Sequence, residues 1–221
     1  MIKLEKTDVY GFEAAIRGMR NPMNSWDKSD SEWEFVEDPS IINPNDEVKF
    51  VAGKNDLELM KMLALGGSVH AKYRRMITVT VDITAPLYWW KEFDTYKVGT
   101  VANSCSTMHK IHDKEFTIKD FSGEHLNKYG LAIMDNIIAC LNYNRENFLE
   151  TRQKYYWRQM IQLLPSSYNQ KRTVLLNYEV LVGMYRDRKN HKLDEWRELC
   201  RWIEDLPYSE IITLKENKTN D

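Results

Sequence analysis

The segment 77–86 constrains the fold more than any other. Ile77, Val79, Val81 and Ile83 alternate with Thr78, Thr80, Asp82 and Thr84. A period of two, rich in β-branched residues, is the signature of a strand with one buried face. Pro86 follows, and proline suits the first turn of a helix. The spacing then predicts a helix over 87–97, with Leu87, Trp90, Lys91 and Asp94 along one face. A strand delivering an aromatic helix implies a sheet packed against helices.

Around this unit, residues 2–10 read as a short strand and Phe12 to Met19 as a short helix. Asp56 is placed to cap a helix that ends at Gly66-Gly67. Val98 to Met108 reads as a loop or short extended piece. The second half reads as helical, over 124–143, 145–164, 171–188 and 193–206, with Pro165 and Pro207 as breaks. The expected class is α+β, an antiparallel sheet packed with helices and followed by a helical C-terminal half. The chain reads as one domain over 1–221, with a loop insertion at 21–45 anchored by Trp26 and Trp33, and a disordered tail at 215–221.

Composition narrows the class. With 43% hydrophobic residues, nine glycines and six prolines in 221 residues, the chain is too apolar for wholesale disorder. Its net charge of −2 conceals an uneven layout. Asp27 to Glu58 holds ten acids against three bases, and Arg145 to Arg201 twelve bases against seven acids. The near-zero total argues against a general nucleic-acid binder, yet leaves room for a local anion site. Three widely spaced cysteines and no apolar leader point to a reducing cytoplasm. No stretch is long and apolar enough to span a bilayer.

Most motif tests are negative. The sequence lacks the phosphate-binding glycine loops and the nucleophile elbow. His109 and His112 lack further ligands, so no metal is expected. Cys105 has no histidine fixed beside it and reads as a buried or inert thiol. Arg74-Arg75 reads as a solvated strand end. Trp89-Trp90 reads as a helix–sheet contact, the alternative being a stacking platform for a base.

One constellation remains. Residues 81–109, VDITAPLYWWKEFDTYKVGTVANSCSTMH, resemble the central segment of the flavin-dependent thymidylate synthases. There a strand enters a helix ending in Arg-His-Arg, followed by a serine and a polar Asn-Glu-x-Ser stretch. Here Thr95-Tyr96-Lys97 stands for Arg-His-Arg, Thr100 for the first hydroxyl, and Cys105, flanked by Ser104 and Ser106, for the later serine. Gly67 and His70 resemble a Gly-His upstream. Leu164-Pro165, Tyr168, Thr173 and Asn177 resemble a downstream series, Arg188 falls where a substrate-binding arginine is expected, and Glu195-Trp196-Arg197 resembles a closing Glu-Ile-Arg. The register covers roughly 57–206. Thr107 and Glu179 stand where the family has arginines.

The resemblance implies transfer of a one-carbon unit to a dUMP-like pyrimidine deoxynucleotide. FAD reduced by NADPH, and methylene-tetrahydrofolate as carbon donor, would take part, in a homotetramer. It would place Tyr96, Lys97, Thr100, Asn177 and His70 near the flavin, and Ser104, Cys105, Ser106 and Arg188 near the nucleotide, with Arg188 the foremost functional residue. The alternative is a catalytically silent nucleotide-binding or protein-interaction member on the same scaffold.

Overall fold

The structure is a computed structural model, described here for residues 2–35 and 48–214. A four-stranded antiparallel sheet has the order β1-β4-β6-β5, with β1 at Lys3–Tyr10, β4 at Thr78–Pro86, β5 at Val101–Ser104 and β6 at Asn169–Asn177. The alternation at 77–83 is realised in β4. Val79, Val81 and Ile83 are buried, and the residues between them are half-exposed. The helices are α1 (Phe12–Arg20), α2 (Lys54–Leu65), α3 (Leu87–Phe93), α4 (Lys128–Thr151), α5 (Lys154–Leu163), α6 (Tyr178–Arg188), α7 (Asp194–Glu204) and α8 (Glu210–Thr213). The α+β class is as expected.

The largest correction concerns 171–177, expected to be helical. These residues belong to β6, which pairs with β4 along its whole length, from Thr78 opposite Asn177 to Pro86 opposite Asn169. Gln170, Val174 and Leu176 are buried on one face. Lys171 and Arg172 mask the alternation, because long basic side chains snorkel from either face. In the helical half, the break expected at residue 144 is absent. Asn127 caps α4 by accepting hydrogen bonds from the backbone N–H of Tyr129 and Gly130, both at 3.0 Å. The helix runs on to Thr151, and Asn144 donates its amide back to the Cys140 carbonyl at 2.7 Å.

The segment 21–45 is only partly a loop. Glu32–Phe35 (β2) pairs antiparallel with Val48–Val51 (β3) as a separate ribbon. Trp26 and Trp33 do not anchor it, since both are exposed. The anchor is polar. Fully buried Asp56 accepts hydrogen bonds from Arg20 Nε, Ser29 Oγ and Ser31 Oγ, each at 2.6 Å, and from the Asp30 N–H at 3.2 Å. Asp56 is therefore not the helix cap. The Asp30 carboxylate takes that role, accepting from the N–H groups of Asn55 and Asp56 at 2.9 and 3.1 Å. The expected tail at 215–221 lies outside the described residues.

Two apolar cores result. The main one lies between the sheet and helices α1, α3, α6 and α7, and is dominated by Trp89, Trp90, Phe93 and Trp196. The second, with Ile111, Phe116, Phe121, Leu141 and Met160, holds α4 and α5 together. Trp89 and Trp90 are buried to within 1%, so neither offers a free face for a base.

Candidate functional site

Helix α3 ends sooner than expected, at Phe93, and a turn carries Thr95, Tyr96, Lys97 and Thr100 toward β5. Thr100 Oγ1 donates to the Tyr96 carbonyl, which closes that turn. Gly99 adopts φ +78°, and a β-carbon there would lie 2.8 Å from Asn177 Nδ2 and 3.0 Å from Val180 Cγ2. The turn is thus pressed against the start of α6. Asn177 is the cap of that helix, its Oδ1 accepting from the Val180 N–H at 3.0 Å.

Arg188, in the last turn of α6, reaches the same turn. Its Nε donates to Tyr96 Oη at 3.0 Å, and its guanidinium lies 4.6 Å from the Trp196 ring centroid and 5.6 Å from that of Tyr96. Nη1 lies 2.9 Å from Glu92 Oε2. The same oxygen accepts from Trp196 Nε1 at 2.9 Å and lies 3.6 Å from His191 Nε2. Two donors therefore converge on one carboxylate oxygen, with the His191 ring beside them, the arrangement of an anion socket.

Ser104, Cys105 and Ser106 occupy the end of β5 and the turn beyond it. Ser104 is opposite Arg172 in β6. The Cys105 N–H donates to the Lys171 carbonyl at 2.9 Å, and its carbonyl accepts from Gln170 Nε2 at 2.7 Å. Ser106 Oγ accepts from the N–H groups of Met108 and His109 at 3.2 and 2.9 Å. Arg172 joins this group to α3, since its Nη1 donates to Asp94 at 2.7 Å and its guanidinium stacks 4.1 Å from the Trp90 ring.

Tyr96, Lys97, Thr100, Asn177 and Arg188 are therefore brought together, and Ser104 to Ser106 lie along the adjoining sheet edge. His70 is not brought in. It is exposed in the turn after α2, and no hydrogen bond or ion pair among the described residues links it to the others. Cys105 and Cys140 are exposed free thiols, so of the expected buried or inert Cys105 the buried alternative does not hold; Cys200 is the buried one. Arg74 is no solvated strand end, because its side chain is 5% exposed and lies 3.7 Å from Glu179. Among the described residues, no group of His, Cys, Asp and Glu is arranged to hold a metal ion, and no helix is long and apolar enough to cross a membrane.

The sequence pattern does not single out Glu92, His191 or Arg172, and it places Asp94 only on a helix face. Glu92 sits four residues before Tyr96 on the predicted helix, so its side chain falls on the same face. Arg172 was hidden because its strand was read as a helix.

No family model matches the sequence, and no curated protein matches it. Solved structures do. A flavin-dependent thymidylate synthase ThyX from Helicobacter pylori, complexed with FAD and dUMP, superposes with a TM-score of 0.64 at 15% identity, covering 95% of this chain and 96% of that one. A second structure of ThyX from Helicobacter pylori with FAD and dUMP gives 0.65 at 15% identity, with 96% of each chain covered. The likeness extends well beyond the central segment that first suggested it. From end to end, the chain has a ThyX-like α+β fold.

Proposed function

We propose that this chain is a divergent flavin-dependent thymidylate synthase-like protein that transfers a one-carbon unit to a dUMP-like pyrimidine deoxynucleotide. The observation carrying this reading is the hydrogen bond between Arg188 and Tyr96, 92 positions apart, at the junction of α3 and α6. It lies on a fold shared almost end to end with structures that hold FAD and dUMP.

The donor set fits such ligands. Hydroxyls at Ser104 and Ser106, the Cys105 thiol and the Arg188 guanidinium can all donate to phosphate oxygens. Lys97 makes no ion pair among the described residues, and Asn177 keeps its amide nitrogen for donation while its oxygen caps α6. In this reading Lys97, Thr100, Asn177, Tyr96 and, from its separate turn, His70 hold FAD. Ser104, Cys105, Ser106 and Arg188 hold the nucleotide. When bound, reduced FAD would be the source of hydride, with NADPH as its reductant and methylene-tetrahydrofolate as the carbon donor. The chain's own contribution is orientation and shielding from water, effects that are together worth on the order of 7 kcal/mol or more in well-oriented systems.

The same reading includes a homotetramer in the cytoplasm. Tyr129, Leu131, Ile133 and Tyr143 are exposed along α4, as expected of a helix covered by another copy, and all three cysteines are unpaired, as in a reducing compartment. Light scattering behind a sizing column checks the assembly.

The decisive measurement is the visible spectrum of the purified protein, with and without dUMP. A flavin band that responds to dUMP supports the reading. A colourless protein that does not take up FAD ends it. A second reading, a catalytically silent scaffold, is favoured by the Glu92 carboxylate in the Arg188 socket and by the Asp94–Arg172 pair. Rescue of a thymidine auxotroph by the wild type but not by Arg188→Ala would exclude it.

A further inference from the structure

The ribbon of β2 and β3 is a sheet of its own, and among the described residues β2 pairs with β3 alone. Outside that pairing, no backbone hydrogen bond among the described residues involves residues 32–35, so one edge of β2 is free. A free edge presents a row of unpaired N–H and C=O groups, and a two-stranded ribbon is marginal until another strand adds to it.

The side chains of β2 alternate strictly. Glu32 and Glu34 lie on one face, Trp33 and Phe35 on the other, and all four are exposed. Trp33 is 57% and Phe35 78% exposed, and Val48, opposite Phe35, is exposed as well. The aromatic face is therefore an open apolar patch, the mark of an interaction surface. Phe50 meets Trp33 edge to face, with centroids 5.4 Å apart, which fixes the indole. Glu32 and Glu34 make no ion pair among the described residues, and they belong to the stretch with ten acids against three bases.

The strand already paired with β2 shows what this pattern accepts. Lys49 stands opposite Glu34, Phe50 opposite Trp33 and Val48 opposite Phe35. Directly opposite residues share a face, so base meets acid and apolar meets aromatic. A strand on the other edge of β2 meets the same two faces. A second copy of β2 is a poor fit there. With either central residue, Trp33 or Glu34, on the two-fold axis, antiparallel pairing sets glutamate opposite glutamate, and like charges so placed are destabilising.

We infer that the free edge of β2 docks an extended segment of a partner protein in which basic and apolar residues alternate. Its main chain pairs with the edge, its basic side chains face Glu32 and Glu34, and its apolar ones face Trp33 and Phe35. Main-chain hydrogen bonds supply affinity in such an addition, and the alternating side chains supply specificity. The Arg188 cluster takes no part, so the inference does not depend on the function proposed above.

The test uses the full chain and fluorescein-tagged hexapeptides followed by anisotropy. KVKVKV is the probe, KKKVVV has the same composition and charge without the alternation, and EVEVEV reverses the charge. KVKVKV should bind saturably and about tenfold more tightly than KKKVVV, the sum expected of four cross-strand pairs. EVEVEV should not saturate. Glu32→Lys with Glu34→Lys, exposed changes outside both cores, should reverse the preference, so that EVEVEV binds and KVKVKV does not. A KVKVKV peptide N-methylated throughout keeps its side chains but loses its donors, and should lose binding. The docking edge is overturned if millimolar KVKVKV does not bind, if KKKVVV matches it, if the double variant keeps the wild-type preference, or if the methylated peptide binds equally well. A protein that takes up no FAD yet gives the expected peptide response would sink the proposed function and leave this edge standing.

Discussion

Glu92 Oε2 lies 2.9 Å from Arg188 Nη1 and accepts a hydrogen bond from Trp196 Nε1 at the same distance, so the socket at the end of α6 is filled by the chain's own carboxylate. An incoming phosphate must displace that group or share the arginine with it. Replacing Glu92 by Gln keeps the shape and an acceptor for the indole but removes the competing charge. Calorimetric affinity for dUMP should rise about fivefold to tenfold in Glu92→Gln, in line with the value of one charge-assisted contact. Unchanged affinity would show that Arg188 takes no part in binding the anion.

The Asp56 cluster gives a pH-dependent stability. Burial pushes the carboxyl upward, but the hydrogen bonds from Ser29, Ser31 and Arg20 outweigh it and hold the group below the usual carboxylate range. A depressed folded value means that the stabilisation is present above the unfolded value, about pH 4, and is lost as pH falls through the folded one. Asp56→Asn should cost about 3 kcal/mol, because it strands a buried guanidinium. It should also flatten the acid limb of the melting temperature plotted against pH. A variant with an unaltered acid limb would refute the assignment.

Gly99 and Asn177 form one joint. Gly99→Ala places a methyl 2.8 Å from the Asn177 amide at a positive φ, so both the turn and the helix cap must shift. Denaturant melts should register a loss of about 1–3 kcal/mol. Asn177→Ala, which removes only the cap, should cost about 1 kcal/mol. Equal losses in the two variants would argue against the steric contact.

The thiols separate by burial. Burial, aided by the nearby Glu204 charge, pushes the Cys200 thiol up to about 11, and Cys105 and Cys140 are exposed. A thiol reagent at pH 8 should therefore reach Cys105 in the native protein and Cys200 only on unfolding. Three fast thiols in the native state would contradict the packing of α7.

What the sequence revealed and what it hid follow one physical line. β4 was legible because its two faces differ sharply in polarity, and the segment 81–109 because its spacing resembles a family pattern. β6 was not. Its outward residues include Thr173 and Leu175, its inward ones Gln170 and Arg172, and alternation cannot be read when both faces mix polarity. The site suffered for the same reason. Arg188, Tyr96 and Asn177 could be named from spacing, but the pairings of Arg188 with Glu92, of Trp196 with Glu92 and of Arg172 with Asp94 cross 96, 104 and 78 positions of chain.

The polar root of the β2–β3 ribbon has an evolutionary consequence. Asp56 ties residues 29–31 to α2 by hydrogen bonds that stop just short of β2, while β2 itself lies exposed along its length. Fastening and display are thereby assigned to different residues. Sequence change on β2 need not disturb either core, whereas change at Phe50 in β3, which packs against the main core, or at the polar root would be felt there. β2 is thus a stretch whose side chains can change while both cores stay intact.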